Sequence, residues 1–147
     1  MEASAWYNRG DYTKAIEVAK LALQLLNKVK ASKNDLASTT NLIGLANMSK
    51  GNYDEAELYY SDARNLYHAA KDILGEVSTI HNLGVICFYL GNYDKAMQFY
   101  TEALKKSEGN EDLQTESDIL INIGILFNQE MQYKKAIGYY RRAFKIQ

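Results

Sequence analysis

Apolar residues recur along this chain with helical spacing, in blocks of about two helices each. A tyrosine-centred phrase punctuates the blocks four times. The copies are Gly10-Asp11-Tyr12-Thr13-Lys14-Ala15, Gly51-Asn52-Tyr53-Asp54-Glu55-Ala56, Gly91-Asn92-Tyr93-Asp94-Lys95-Ala96 and Met131-Gln132-Tyr133-Lys134-Lys135-Ala136. Tyr12, Tyr53, Tyr93 and Tyr133 step by 41, 40 and 40 residues. A period of that length means one supersecondary unit repeated, each copy burying its apolar face against the next. A second landmark shares the period: Ile43-Gly44, Leu83-Gly84 and Ile123-Gly124, each glycine seven residues before the next turn. A glycine inside a helix costs about 1 kcal/mol relative to alanine. Its repetition therefore points to helices that pass too closely for a larger side chain.

Each unit reads as helix A, a short turn and helix B. Helix A is predicted at 36–50, 73–90 and 113–130, with a stub around Ala3-Ser4-Ala5-Trp6-Tyr7. Gly51 and Gly91 are placed to close helix A in the left-handed backbone conformation. Asp54 and Asp94 then fall in the first turn of helix B, where the helix dipole favours negative charge. The sets Ala56, Tyr60, Ala63; Ala96, Tyr100, Ala103; and Ala136, Tyr140, Ala143 each lie on one face of helix B. The alanines permit close approach and the tyrosine fills the space beside them. Ala15, Ala19 and Ala22 repeat the spacing without the aromatic. The predicted architecture is an all-α solenoid of antiparallel helix pairs: a partial repeat at 1–34, then repeats at 35–72, 73–111 and 112–147.

These landmarks resemble the tetratricopeptide repeat, which is marked by a leucine-glycine pair in helix A, an aromatic at the turn and Ala…aromatic…Ala in helix B. Leu83-Gly84, Tyr93, Ala96, Tyr100 and Ala103 match it, as do Ile123-Gly124, Tyr133, Ala136, Tyr140 and Ala143. Asn47 departs from the pattern, since Cys87 and Phe127 hold the matching positions. The unit of about 40 residues is longer than the usual 34. It is similar to the long variety found in kinesin light chains, G-protein-signalling modulators and bacterial sensors and transcription regulators. The resemblance implies a right-handed superhelix whose A helices line a concave groove.

The resemblance also implies that ligand contacts come from the inward face of helix A. Counted from the landmark glycines, that face carries Asn41, Leu42, Leu45 and Met48 in the second unit. The third offers His81, Asn82, Val85, Phe88 and Tyr89, and the fourth Asp118, Ile121, Asn122, Ile125 and Gln129. Asn82 and Asn122 occupy the same register, and in resembling proteins an asparagine there holds the backbone of an extended peptide. They are equally suited to bonding neighbouring helices, because a buried amide finds partners of either kind. Leu42 interrupts the row. None of these positions is Lys or Arg, so a clamp for a terminal carboxylate is not expected. The face suits an apolar or neutral protein segment, extended or helical.

Composition narrows the function further. The chain has 147 residues and a net charge of −1, with 17 basic and 18 acidic residues, which gives no overall footprint for nucleic acid or an anionic membrane. One cysteine, Cys87, excludes an internal disulfide framework, and a cytoplasmic setting is expected. His68 and His81 lack metal-ligand spacing, and there is no phosphate loop or nucleophile elbow. No metal, cofactor or catalytic residue is expected, and a binding module is. Two further readings stand beside it. One is a sensory region of a larger bacterial signalling protein; the other is a self-associating array. In the latter Ala136, Ile137, Tyr140, Phe144 and Ile146 form an uncapped end. The short first helix and the end of the fourth helix B are read as the limits of a segment from a longer array.

Overall fold

The computed structural model describes residues 2–147, which form eight α-helices and no strand among the described residues. The A helices are α1 (Ala3–Asn8), α3 (Lys33–Ser49), α5 (Ile73–Tyr89) and α7 (Leu113–Gln129). The B helices are α2 (Tyr12–Lys28), α4 (Tyr53–Ala69), α6 (Tyr93–Ser107) and α8 (Tyr133–Ile146). The chain divides into two compact units, one ending at Thr79 and the other spanning Ile80–Gln147, so the boundary falls inside α5.

In unit one, α1 packs on α2, α2 on α3 and α3 on α4. Ala3, Ala19 and Ile43 form one core cluster, joined by Ile16, Val18, Leu23, Leu42 and Tyr59. Leu42, predicted to face inward, is therefore spent on packing. A second cluster gathers Ala37, Ala63 and Tyr67. In unit two, α6 packs on α7 and α7 on α8.

The glycine landmarks have one partner type throughout. A β-carbon at Gly44 would lie 2.9 Å from the Tyr60 ring; at Gly84 it would lie 2.6 Å from Tyr100, and at Gly124 2.5 Å from Tyr140. Each landmark glycine is thus a notch for the tyrosine of its own helix B. The alanines either side of those rings are buried, Ala56, Ala63, Ala96 and Ala103 completely. Gly75 is a further notch, filled by Tyr67 at the other end of α4, outside the repeating landmarks.

The turns follow the expected chemistry. Gly10, Gly51 and Gly91 have φ of +81°, +79° and +77°. After each, an amide donates back to the last turn of helix A, as from Asn92 to the Cys87 carbonyl at 2.8 Å. Met131 takes the same conformation at φ +59° without glycine's freedom, and Gln132 makes the same bond to Phe127. Asp54 and Asp94 lie in the first turns of α4 and α6.

Two local differences from the sequence reading have simple causes. Helix α3 begins at Lys33, earlier than expected, because the Ser32 hydroxyl accepts from the Asp35 amide at 3.1 Å and donates to its carboxylate at 2.8 Å. Asn47, the departure from the family pattern, is buried yet satisfied. Its Nδ2 donates to the Ile43 carbonyl at 2.9 Å and its Oδ1 accepts from Asn52 at 3.4 Å. Asn52 consequently makes no side-chain cap for α4, whereas Asn92 accepts from the Lys95 amide.

Candidate functional site on the A helices

Unit two holds the larger share of the expected face. His81, Asn82, Val85 and Phe88 are half-buried on α5, and Tyr89 is exposed. On α7, Asp118, Ile121, Asn122 and Ile125 are half-buried and Gln129 is exposed. Half-burial is the state a ligand-reading side chain needs: fixed at its base and open at its tip.

The two elements are tied at one polar point. Asn122 Nδ2 lies 2.7 Å from His81 Nε2. An amide N–H can only donate there, so Nε2 is the unprotonated acceptor and the ring proton sits on Nδ1. Burial holds the His81 pKa below its ordinary value, and the Asp118 carboxylate opposes that shift. The His81 ring also stands 5.8 Å from Tyr100, the tyrosine seated in the Gly84 notch. Asp118 is held in turn by Gln114, whose Nε2 donates to it at 3.0 Å.

The two asparagines therefore differ. Asn122 spends its amide on His81, the interhelix role, while Asn82 makes no such bond among the described residues. At the far end of α5 an aromatic group forms, with Phe88 5.9 Å from Tyr89 and 5.5 Å from Tyr93 between ring centroids. Such contacts fix ring planes, and Tyr89 is exposed beside them.

Unit one places Asn41, Leu45 and Met48, all half-buried, on α3. Asn41 Oδ1 lies 3.5 Å from the Thr79 hydroxyl, whose proton goes to the Gly75 carbonyl at 2.7 Å. Ser49 meets the Tyr7 hydroxyl at 3.1 Å. A concavity of this unit lies elsewhere. A cleft of about 370 Å³ opens between α2, the start of α3 and α4, with Leu23, Leu36, Thr40, Tyr59, Asp62 and Leu66 among its walls. None of the expected site residues lines it. It arises where side chains from three helices diverge, a geometry with no residue-type signature in the sequence.

Among the described residues no group of three His, Cys, Asp or Glu is arranged to hold a metal ion, and no helix is long and apolar enough to cross a membrane. Cys87 is buried at its helix-A position.

Comparison with known proteins agrees with this geometry. No curated protein matches the sequence. The chain superimposes on BtubC from P. vanneervenii with a TM-score of 0.86 at 24% identity, covering 98% of this chain and 59% of that one. It superimposes on aspartyl phosphate phosphatase F from Bacillus subtilis with a TM-score of 0.92 at 16% identity, covering 98% of this chain and 38% of that one. The Rap conjugation gene regulator of plasmid pLS20, solved in complex with the Phr* peptide, gives 0.85 at 20% identity, with 97% and 40% covered. This chain thus spans between about two-fifths and three-fifths of these similar structures. The tetratricopeptide repeat profile matches it twice, over residues 35–109 and 75–147. With the notched helix pairs and these matches in hand, the chain belongs to the tetratricopeptide repeat family.

Proposed function

We propose that this chain is a protein-interaction module that captures a peptide segment of a partner on its A-helix face, with no catalytic step of its own. The observation that carries the reading is the unit-two face, where a fixed His81–Asn122 pair sits among half-buried Val85, Ile121 and Ile125. Apolar walls with a few fixed polar groups are the ordinary makeup of a peptide site. Asn82 reads the ligand backbone, Phe88 and Tyr89 form the aromatic end, and Asp118 and Gln129 mark the polar rim. Asn41, Leu45 and Met48 on α3 give unit one a reading surface of its own. The absence of Lys and Arg from these positions favours an apolar or neutral segment over an acidic one. Support also comes from the similar pLS20 regulator, which was solved with a peptide bound.

A second reading places the chain as the sensory part of a larger cytoplasmic regulator. It is favoured by the partial coverage of that regulator, 40% of its chain.

The test is a selection of random displayed peptides on the wild-type chain, followed by affinity measurement on variants. Asn82→Ala is expected to weaken the selected peptides at least about tenfold, roughly the 1.4 kcal/mol of one good polar contact, with melting unchanged. Asn122→Ala is expected to weaken binding and lower the melting temperature as well, because it unties His81. Full-strength binding by both variants would contradict the proposal.

A further inference from the structure

The cleft of about 370 Å³ in unit one shares no residue with the A-helix face, and its chemistry is different. Its walls come from α2, α3 and α4, each 17 residues long, and the α2–α3 and α3–α4 pairs are both formed. The opening is therefore internal to unit one. One repeat further along, the places of Asn27 and Leu36 are held by His68 and Glu76, whose side chains meet at 3.2 Å. An amide and an alkyl chain make no such tie, so no polar bond draws α2 to the start of α3 here.

Half-buried Leu23, Leu36 and Leu66 give the cleft apolar sides, and half-buried Tyr59 gives it an aromatic one. The buried Thr40 hydroxyl is already engaged, donating to the Leu36 carbonyl at 2.7 Å. Three exposed polar residues border these walls: Asn27, Asp62 and Asn65. None of their side chains makes a hydrogen bond or ion pair among the described residues. Asn47, Asn92, Asn110 and Asn122, by contrast, all bond within the chain.

That set selects a cation. Asp62 is the only charged residue among the walls, so an anion would meet repulsion with nothing to offset it. A cation meets a carboxylate and two amide oxygens. The aromatic wall favours the same sign, since Lys20 already stands 5.8 Å over the Tyr59 ring. Lys20 is exposed on a flexible stem, so an incoming cation displaces it into solvent. Helix α4 carries Asp54, Glu55, Glu57 and Asp62 against Arg64, whereas α2 opposite carries Lys14, Lys20 and Lys28 against Glu17. The charged head is thereby drawn to the α4 side.

Among cations, a guanidinium fits better than an ammonium. Its five N–H groups form a planar fork that can bond several oxygens at once, and its face stacks on an aromatic ring. Its alkyl stem lies along leucine side chains without loss. The volume stands at the small end of the range for ligand pockets, about 300–1,000 Å³, which gives room for one long side chain.

We propose that the cleft between α2, α3 and α4 receives an arginine side chain from an exposed segment of a partner protein. Asp62 holds the guanidinium, Asn27 and Asn65 accept its remaining N–H groups, and Tyr59 stacks on it.

The experiment uses four labelled pentapeptides with blocked ends, in which two serines and two leucines flank a central arginine, lysine, citrulline or glutamate. The arginine form is expected to bind at least about tenfold tighter than the citrulline form, its neutral isostere, and about threefold tighter than the lysine form. Asp62→Asn should remove the preference over citrulline. Glu55→Gln takes the same charge from α4 outside the cleft walls and should preserve it. Both positions are exposed, and circular dichroism checks that the variants keep their helices. Amide NMR shifts with the arginine form should gather on Asn27, Tyr59, Asp62 and Asn65. Equal binding of the arginine and citrulline forms, equal losses in the two variants, or shifts gathered on α5 and α7 overturn the proposal. So does free arginine binding as tightly as the peptide, which would make the cleft a small-molecule site. The A-helix reading is tested separately, by arginine-free peptides that leave these cleft residues unshifted.

Discussion

Helices α6 and α8 stand at the same place in successive repeats and carry the same Ala…Tyr…Ala face, yet they live in different surroundings. Tyr100 fills the Gly84 notch and is 1% exposed, with α7 against its helix. Tyr140 fills the Gly124 notch as closely but is only half-buried, and Phe144 beyond it is open. The difference separates two layers of stabilisation. The notch is made within one helix pair and forms in both repeats. The seal over α6 is made by α7, and among the described residues Phe144 of α8 has no such cover.

Alanine in place of the two tyrosines gives the largest expected contrast. Tyr100→Ala should destabilise by about 3–5 kcal/mol, since a large ring leaves a cavity walled on both sides. Tyr140→Ala should cost about 1–3 kcal/mol, because much of its ring area already meets water. Chemical denaturation of both variants measures the gap; equal losses would mean that the seal contributes nothing.

The glycines sharpen the same contrast. Gly84→Val should cost about 1–3 kcal/mol by overpacking against Tyr100, whereas Gly138→Ala should stabilise by about 0.5–1 kcal/mol, having open space and an ordinary helical backbone. A neutral Gly84→Val would break the notch account.

A smaller effect depends on pH and concerns unit two. His81 has a depressed pKa, so in acid the unfolded chain takes up the proton before the folded chain does. Its contribution to stability is complete above about pH 6.5, its unfolded value, and is lost as pH falls below that toward the folded value. Asn41, at the same register in α3, does not titrate. Thermal melts between pH 7 and 5 should show a drop that His81→Gln removes. The Asp112 carboxyl, lowered by its bonds to Thr115, acts at more acid pH, below its ordinary 3.8, and leaves that window clear.

The smallest expected change is at the last turn. Met131→Gly should stabilise by about 0.5–1 kcal/mol, because the left-handed backbone there costs a methionine and not a glycine. Gly91 already has this advantage, so Gly91→Met should move stability the other way by a similar amount. Differential scanning calorimetry on the pair checks both signs.

The repeat register was legible because it rests on residue types that physics makes scarce: a glycine where rings pass, alanines where helices touch, and a left-handed residue after helix A. Those signals recur, and recurrence separates them from chance. What stayed hidden is pairwise and does not recur. Gly75 and Tyr67 form a notch between the end of α4 and the start of α5, outside the landmark spacing. His81 and Asn122 are one residue out of repeat register with each other, so no recurring signal pairs them, although they lie 2.7 Å apart. The unit-one cleft is a gap between three helices, and no residue type marks a gap. The acidic character of α4 was available in the sequence, but totals over 147 residues average it away. Counting charge helix by helix would have found it.

The most direct measurement is a two-dimensional amide NMR titration of the chain with a peptide obtained from the displayed-peptide selection. The account predicts the largest shifts on the face that holds His81, Asn82, Val85 and Phe88 together with Ile121, Asn122 and Ile125. Shifts concentrated instead on Leu23, Leu36, Tyr59 and Leu66 would place the peptide in the unit-one cleft and contradict the assignment of the A-helix face as the binding surface.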